Sequence, residues 1–200
     1  MILPCLAEEV GEAFINIKNI EDVNVIDTSG YGLQDNTIVT LEGGKQVTLN
    51  LPSDGVYNDM HMAAQIVIHE NLTRDVWLSS NFPRLGISSS NAVMAQARKS
   101  NESVTAIPHQ SNLRKTFDEK SLIMLTTGGD TTLSLYQNSD TTPVNNSSVT
   151  IMDGTFNKVQ FGDFTSFGVI GYQMFSIGKA MTADDYMNLN ILTKSLVGNF

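Results

Sequence analysis

The stretch that decides the fold is GVIGYQMFSIGKAMTADDY, residues 168–186. Its first part, Gly168 to Ile177, is rich in β-branched and aromatic residues and predicts a buried strand. After a short polar turn, Thr182 is a good helix N-cap, and Asp185 three residues later completes a capping box with Asp in place of the usual Glu. Apolar residues then recur at helical spacing, at Tyr186, Leu189 and Leu192. The stretch therefore predicts a strand followed directly by a capped helix.

Short strands are predicted along most of the preceding chain. Residues 46–51 alternate between polar and apolar, which indicates a half-buried strand. Residues 64–69 are apolar on both faces apart from Gln65 and His69, which is typical of a central strand. Residues 122–136 predict a hairpin around Gly128-Gly129, because glycine supplies the positive φ angles of a tight turn. Further strands are predicted at 13–17, 75–78, 148–151 and 156–161, and a weaker pattern predicts a helix at 92–98. So many short strands at regular spacing predict a sandwich or a barrel.

Three segments resemble laminin-G-like, concanavalin A-like domains. Residues 168–186 resemble their closing strand, turn and capped helix, with Ala180 and Met181 before the cap. Residues 25–35, VIDTSGYGLQD, resemble an Asp-x-Ser-Gly-x-Gly loop. Residues 122–138 resemble a hairpin that ends in Tyr-x-Asn-Gly, although Ser139 stands in place of the Gly. The resemblance covers about residues 25–195 and implies two antiparallel sheets packed as a jelly roll. It implies no function, because this fold hosts lectins, hydrolases, adhesion modules and virion parts.

The predicted fold class is therefore all-β: a two-sheet antiparallel jelly-roll sandwich of the concanavalin A-like type with a short C-terminal helix. Residues 20–200 are predicted to form this domain. Residues 1–19 are predicted to form an N-terminal arm or an edge strand. The arm is apolar at Ile2, Leu3 and Leu6, so we expect it to lie either on its own sheet or on a neighbouring subunit.

Composition excludes several classes of function. The net charge of −9 argues against nucleic-acid binding, which needs a basic stripe. No apolar run reaches the length of about 18 residues that a membrane span requires. The first ten residues lack the basic start of a secretory signal peptide. Cys5 is the single cysteine, so neither an internal disulfide nor a cysteine-based zinc site is expected.

No catalytic, cofactor or metal residue can be assigned from the sequence. Glycosidases of this fold carry their carboxylates as Glu-x-Asp-x-Glu on one strand, and no Glu-x-Asp occurs here. The acidic pairs, Glu8-Glu9, Glu21-Asp22, Asp118-Glu119 and Asp184-Asp185, are adjacent, so on a strand they would point in opposite directions. His61, His69 and His109 are expected to be ordinary strand histidines. His61 and His69 could share a face if one strand ran between them, but a zinc site would still need a third ligand.

Calcium and glycan binding are left open. Aspartates suited to calcium fall in predicted turns, at Asp27, Asp130, Asp140, Asp153 and Asp163, although aspartate is also common in turns for backbone hydrogen bonding alone. A glycan site would need an aromatic platform with polar neighbours. Trp77 is expected in the core, and Tyr31 and Tyr57, both near glycines, are the exposed candidates. The ligand-binding residues therefore stay unknown.

The main functional hypothesis is a non-enzymatic virion structural protein, such as a capsid decoration, head-fibre or tail-fibre domain of a bacteriophage. The acidic composition, rich in Asn, Thr and Ser, favours this class. Its partners would be other virion proteins or copies of itself, in a homo-oligomer or on a lattice, and its location the virion. The alternative is a glycan-binding lectin domain for host attachment. A glycoside hydrolase is the remote alternative.

Overall fold

The computed structural model describes residues 8, 31–34, 37–40, 47–70, 72–78, 84–90, 92–98, 104–107, 120–146, 151, 154–161 and 170–198. Within these residues the chain forms strands β1 to β13 and one helix, α1. The strands are β1 Tyr31–Gln34, β2 Thr37–Thr40, β3 Val47–Val56, β4 His61–Ile68, β5 Val76–Trp77, β6 Arg84–Ile87, β7 Val93–Arg98, β8 Val104–Ile107, β9 Lys120–Gly128, β10 Thr132–Gln137, β11 Val144–Asn146, β12 Thr155–Phe161 and β13 Ile170–Gly178. The helix is α1 Ala183–Val197.

One layer is a seven-stranded antiparallel sheet in the order β1-β2-β13-β4-β9-β10-β11. Strand β4 lies at its centre, where His61 pairs with Gly178 of β13 on one side and with Thr126 of β9 on the other. The central strand predicted at 64–69 is thereby confirmed, although it begins at His61 and ends at Ile68. Seven of its eight residues are buried, as expected for a strand covered on both faces.

The other layer consists of two smaller sheets, β5-β6-β7-β8 and β12-β3. Both contribute side chains to the core that covers the inner face of the large sheet. Members of this core include Met62, Ile66, Val76, Leu85, Val93, Leu125, Leu135, Val159, Tyr172 and Phe175. The antiparallel sandwich with a C-terminal helix confirms the predicted fold class.

Helix α1 covers the opposite, outer face of the large sheet. Tyr186 and Leu189 pack there in a second apolar cluster with Ala63, Leu122, Met124, Tyr136 and Met174. The Tyr186 hydroxyl donates a hydrogen bond to the Asn138 carbonyl oxygen at 2.8 Å. Asn138 has a φ of 52°, and its side-chain oxygen accepts from the Leu122 amide at 3.0 Å. The Tyr-x-Asn end of the hairpin therefore has a structural role, because Tyr136 packs against the helix and Asn138 accepts the hydrogen bond from Tyr186.

The predicted cap and hairpin are confirmed. Thr182 Oγ1 accepts from the Asp185 amide at 3.2 Å, and the Thr182 amide donates to Asp185 Oδ2 at 2.9 Å. In the hairpin of β9 and β10, Gly128 pairs with Thr132. Gly129 takes the turn position with a φ of 63°.

The helix predicted at 92–98 is wrong, because these residues form a strand, β7. Its register pairs Ala95 with Leu85 of β6 and with Ile107 of β8. Val93 and Ala95 both face the core, which is the period of a strand and not of a helix. Pairing on both sides and burial therefore override the helix propensity of the alanines and Met94.

Several predicted segments lie outside the described residues. These are residues 1–19 apart from Glu8, including Cys5 and the strand at 13–17; the loop at 25–30; His109; and the strand at 148–151 apart from Ile151. Within the described part of the chain, no helix is both long and apolar enough to cross a bilayer.

Candidate binding sites

A cleft of about 630 Å³ opens where the chain leaves β13 and enters α1. It lies between the end of β13, the first residue of β4 and one side of the helix. Its lining residues are His61, Ser176, Ile177, Gly178, Lys179, Ala180, Met181, Asp185, Asn188, Leu189 and Leu192. We refer to it below as the helix cleft.

His61 forms the polar floor of the helix cleft. Its side chain is 5% exposed and hydrogen-bonded at both ring nitrogens. Nδ1 lies 2.6 Å from the Lys179 carbonyl oxygen, and Nε2 lies 3.0 Å from Ser176 Oγ. Since a carbonyl oxygen only accepts, Nδ1 carries the proton donated to Lys179. In the neutral ring Nε2 then accepts from the Ser176 hydroxyl. These two bonds and the contact with Gly178 hold the orientation of the ring.

The helix supplies the other wall. Met181, Leu189 and Leu192 make this wall apolar, and Leu192 is 46% exposed. Asn188, exposed one turn before Leu192, adds an amide that can donate and accept. A fixed polar floor beside an apolar wall is the composition of small-ligand sites in proteins.

Among the described residues that line the helix cleft, Asp185 is the one carboxylate. Hydrogen bonds from the Thr182 backbone and side chain lower the pKa of Asp185, so this group is ionised at neutral pH and committed to the helix cap. The nearby Asp59 accepts from the Ala180 amide at 3.3 Å and braces the turn without lining the cleft. Glycosidic hydrolysis uses two facing carboxylates, and the described lining of the helix cleft contains one.

The histidines do not form a shared site. His69 lies just beyond the other end of β4 and bonds Thr37 through its Nε2 at 2.9 Å. Eight residues of extended chain separate His69 from His61 by about 26 Å. His61 is therefore the first residue of β4, His69 lies one residue beyond its end, and the two do not share a site.

The two turn aspartates among the described residues, Asp130 and Asp140, both accept hydrogen bonds. Asp130 Oδ1 accepts from the Asn58 side chain, and Asp140 Oδ2 accepts from the Gln137 amide at 3.1 Å. No group of three His, Cys, Asp or Glu side chains in the described residues could hold a metal ion. Asp27, Asp153 and Asp163 lie outside those residues, so calcium binding there stays a prediction.

The aromatic candidates differ from expectation. Tyr31, expected on the surface, is 7% exposed and belongs to the core. Tyr57 is half-buried against Phe156, with ring centroids 4.9 Å apart. Trp77, expected in the core, is half-buried on the outer face of the four-stranded sheet, with Arg84 Cζ 4.0 Å from its ring centroid. The error over Trp77 has a simple cause: its neighbours Val76 and Leu78 are the core residues, and period 2 turns Trp77 outward.

The chain is similar in fold to binding domains of botulinum neurotoxins. The binding domain of serotype D matches with a TM-score of 0.63 at 12% identity, over 84% of this chain and 45% of that chain. The serotype D ligand binding domain in complex with N-acetylneuraminic acid matches with a TM-score of 0.64 at 13% identity, over 86% and 48%. The binding domain of Paraclostridial Mosquitocidal Protein 1 gives 0.63 at 14% identity, over 86% and 49%.

These likenesses establish a shared β-sandwich fold. The chain spans about half the length of the solved structures it matches. No family model matches the sequence, and no curated protein matches it either. All three similar structures carry the name of binding domains.

Proposed function

We propose that the protein is a non-catalytic glycan-binding domain and that the helix cleft is its binding site. The observation that carries the proposal is the composition of that cleft. The Ser176 hydroxyl oxygen, held by His61, can accept a hydrogen bond from a sugar hydroxyl, and the Asn188 amide can bond another. The wall at Leu192 can pack against the C–H face of a sugar ring.

The similar structures support a binding role. They are named as binding domains, and one holds N-acetylneuraminic acid. Because this chain spans about half of each, the position of the site is argued from the helix cleft itself and not transferred from them. In the part of the cleft lining that the structure describes, Asp185 is the one carboxylate and is bonded to the helix cap, which supports binding without hydrolysis.

The experiment is a glycan array with the purified protein, followed by calorimetric titration of the strongest hit against two neighbouring variants. Leu192→Asn changes the wall of the cleft, whereas Ile191→Asn changes the adjacent helix residue, which is 63% exposed and lies outside the lining. We expect Leu192→Asn to weaken binding by about tenfold, or 1.4 kcal/mol, and Ile191→Asn to leave it unchanged. Equal effects of the two variants, or no glycan bound, would contradict the proposal. Release of sugar by the pure protein would contradict its non-catalytic part.

The virion location is retained as a proposal that rests on composition. A glycan-binding domain for host attachment is compatible with that location, as is a structural role in a capsid or a fibre. Mass spectrometry of purified virions tests it: presence of the chain at stoichiometric level supports the virion, and its absence rejects it.

A further inference from the structure

We infer that His61 makes the helix cleft sensitive to pH, because protonation of its ring reverses the hydrogen bond with Ser176. With the ring neutral, Ser176 can only accept a hydrogen bond from a ligand. With the ring protonated, Ser176 can donate one, and the cleft then takes a carboxylate. The role of this reversal in glycan binding rests on the function proposed above, to which it adds a ligand group and the condition under which that group binds.

The two partners of the His61 ring differ in the hydrogen bonds that they can make. Nδ1 lies 2.6 Å from the Lys179 carbonyl oxygen, which only accepts, so Nδ1 carries a proton whether the ring is neutral or charged. Nε2 lies 3.0 Å from Ser176 Oγ, and a hydroxyl can both donate and accept. The neutral ring therefore accepts from Ser176, and the protonated ring donates to it. Both states keep both hydrogen bonds without moving a heavy atom.

The state of the ring decides what Ser176 offers to a ligand. Ser176 lines the helix cleft, and its hydroxyl has one hydrogen and two lone pairs. While the hydrogen is directed at Nε2 of the neutral ring, only a lone pair is left for a ligand. The ligand must then supply a donor, such as a hydroxyl or an amide N–H. Once Nε2 is protonated, the hydrogen of Ser176 can be donated to an acceptor in the cleft.

The charged groups around His61 among the described residues come from three segments. Asp185 on α1 and Lys179 after β13 line the same cleft. Asp59, two residues before His61, accepts from the amide of the turn after β13. The residues that face the ring from β13 and β9 are uncharged, namely Ser176, Gly178 and Thr126.

A proton on His61 changes the charge of the cleft. Lys179 and Asp185 cancel, so protonation brings the summed charge of the described lining from zero to +1. Asp185 stays ionised in mild acid, because hydrogen bonds from the Thr182 backbone and side chain lower its pKa and the charge of His61 adds to this lowering. The Asp185 carboxylate therefore offsets part of the cost of charging a ring that is only 5% exposed.

The ligand group follows from the hydrogen and the charge together. A carboxylate is negatively charged and only accepts hydrogen bonds. Beside the neutral ring it would face a lone pair of Ser176, whereas beside the protonated ring it meets a hydroxyl donor and a positive charge. A carboxamide has nearly the same shape, is neutral and carries its own N–H donors, so it can bond Ser176 in either state. We therefore expect the carboxylate of an acidic saccharide to bind at this point in acid only.

Acetate and acetamide are the probes, because they match in shape and differ in the group that meets Ser176. Their binding is followed by NMR through the side-chain amide of Asn188 and the methyl groups of Leu192, both in the cleft lining. The titrations are run at constant ionic strength at about pH 8 and about pH 5.5, on either side of the ordinary imidazole value of about 6.5. We expect acetate to bind at least about tenfold more tightly at the lower pH, and acetamide to change by less than about twofold. Equal binding of acetate at both values, no binding of acetate in acid, or an equal pH response of acetamide would overturn the proposal.

Variants assign the effect to His61. His61→Gln can donate to Lys179 and accept from Ser176 but cannot take up a proton, so its binding of acetate should not depend on pH. His69→Gln, beyond the other end of β4 and outside the cleft lining, is the matched control and should keep the full response. Circular dichroism checks the fold of both. A pH response that persists in folded His61→Gln, or one that is lost in folded His69→Gln, would overturn the assignment.

The ring nitrogens of the unmodified protein give a test that needs no variant. NMR should show Nδ1 of His61 protonated at both pH values and Nε2 protonated only at the lower one. A proton on Nε2 in place of Nδ1 at the higher value would contradict the hydrogen-bond directions.

The fragment titrations also distinguish this proposal from glycan binding. A glycan array without hits, together with acid-dependent binding of acetate, would reject glycan binding and leave the pH dependence as a property of the cleft. A glycan that binds at Leu192, together with binding of acetate that does not change with pH, would reject the pH dependence alone.

Discussion

At the scale of the residue, Thr182 and Asp185 hold the start of α1, and this helix forms one wall of the helix cleft. Each side chain bonds the backbone amide of the other, at 3.2 and 2.9 Å. These two bonds satisfy amides that a helix otherwise leaves without partners. The stability of the helix that forms one wall of the cleft therefore depends partly on Thr182 and Asp185, two exposed residues.

Substitution of Thr182 by alanine should destabilise the protein by about 1 kcal/mol, because the cap of the Asp185 amide is lost. Thr182→Ser keeps the hydroxyl and serves as the matched control, with little expected change. Urea unfolding followed by circular dichroism measures both. If the alanine and serine variants unfold at the same urea concentration, the cap does not contribute as described.

Asp185 should make this stabilisation depend on pH. Its pKa is lowered in the folded protein, chiefly by the hydrogen bond from the Thr182 backbone. A lowered pKa means that the carboxylate stabilises the fold above the ordinary aspartate value of about 3.9, and that this contribution disappears as pH falls through the lowered folded value. Asp185→Asn should therefore be less stable than the wild type at pH 7, and the difference should shrink as the pH falls below the ordinary aspartate value. A difference in stability that does not change with pH would argue against this role.

At the scale of the element, sequence patterns predicted those segments whose local signal agrees with their packing. The central strand β4 has apolar residues on both faces, and α1 has a complete cap, so both were predicted from the sequence. Strand β7 was not, because alanine and methionine favour a helix in isolation and only the register with β6 and β8 makes this segment a strand. The outward orientation of Trp77 was not predicted for a related reason. The segment 75–78 is so short that its alternation does not show which of its residues face the core.

Strand β13 tolerates no side chain at Gly171, which pairs with Val67 and Val39. A Cβ there would lie 2.6 Å from His69 Nε2 and equally close to Thr37 Cβ. Gly171→Ala should therefore destabilise the protein by about 1–3 kcal/mol through overpacking. Gly128→Ala, whose nearest neighbour would be 3.5 Å away, is the control and should change stability little. Equal thermal unfolding temperatures of the two variants would contradict the close approach.

At the scale of the whole molecule, the helix cleft could not be predicted from the sequence. His61 and the Lys179 carbonyl that fixes it are 118 residues apart, so no local motif joins them. The Trp77–Arg84 stack was missed similarly, since it depends on the pairing of β5 with β6. Alternation of polar and apolar residues predicts individual strands. The helix cleft and the contact between Trp77 and Arg84 depend on which strands lie side by side, and alternation does not give this.

The role of the N-terminal arm is a prediction at the same scale. Deletion of residues 1–10 should leave the melting temperature nearly unchanged but abolish assembly, if Ile2, Leu3 and Leu6 contact a neighbouring subunit. Calorimetry and sedimentation measure the two properties. An unfolded truncated protein would assign the arm to its own core. A folded protein that assembles fully would show that the arm is dispensable and would favour a role in glycan binding alone.

The central position of β4 governs how quickly the chain can fold. The residues of β4 pair with residues of β9 that lie 53 to 65 positions away in the sequence and with residues of β13 that lie 102 to 117 positions away. During synthesis β4 therefore emerges with both hydrogen-bonding edges open until β9 and then β13 have followed. Such remote pairing predicts refolding on the scale of milliseconds to seconds, and it leaves the apolar residues of β4 open to aggregation until both partner strands have been synthesised.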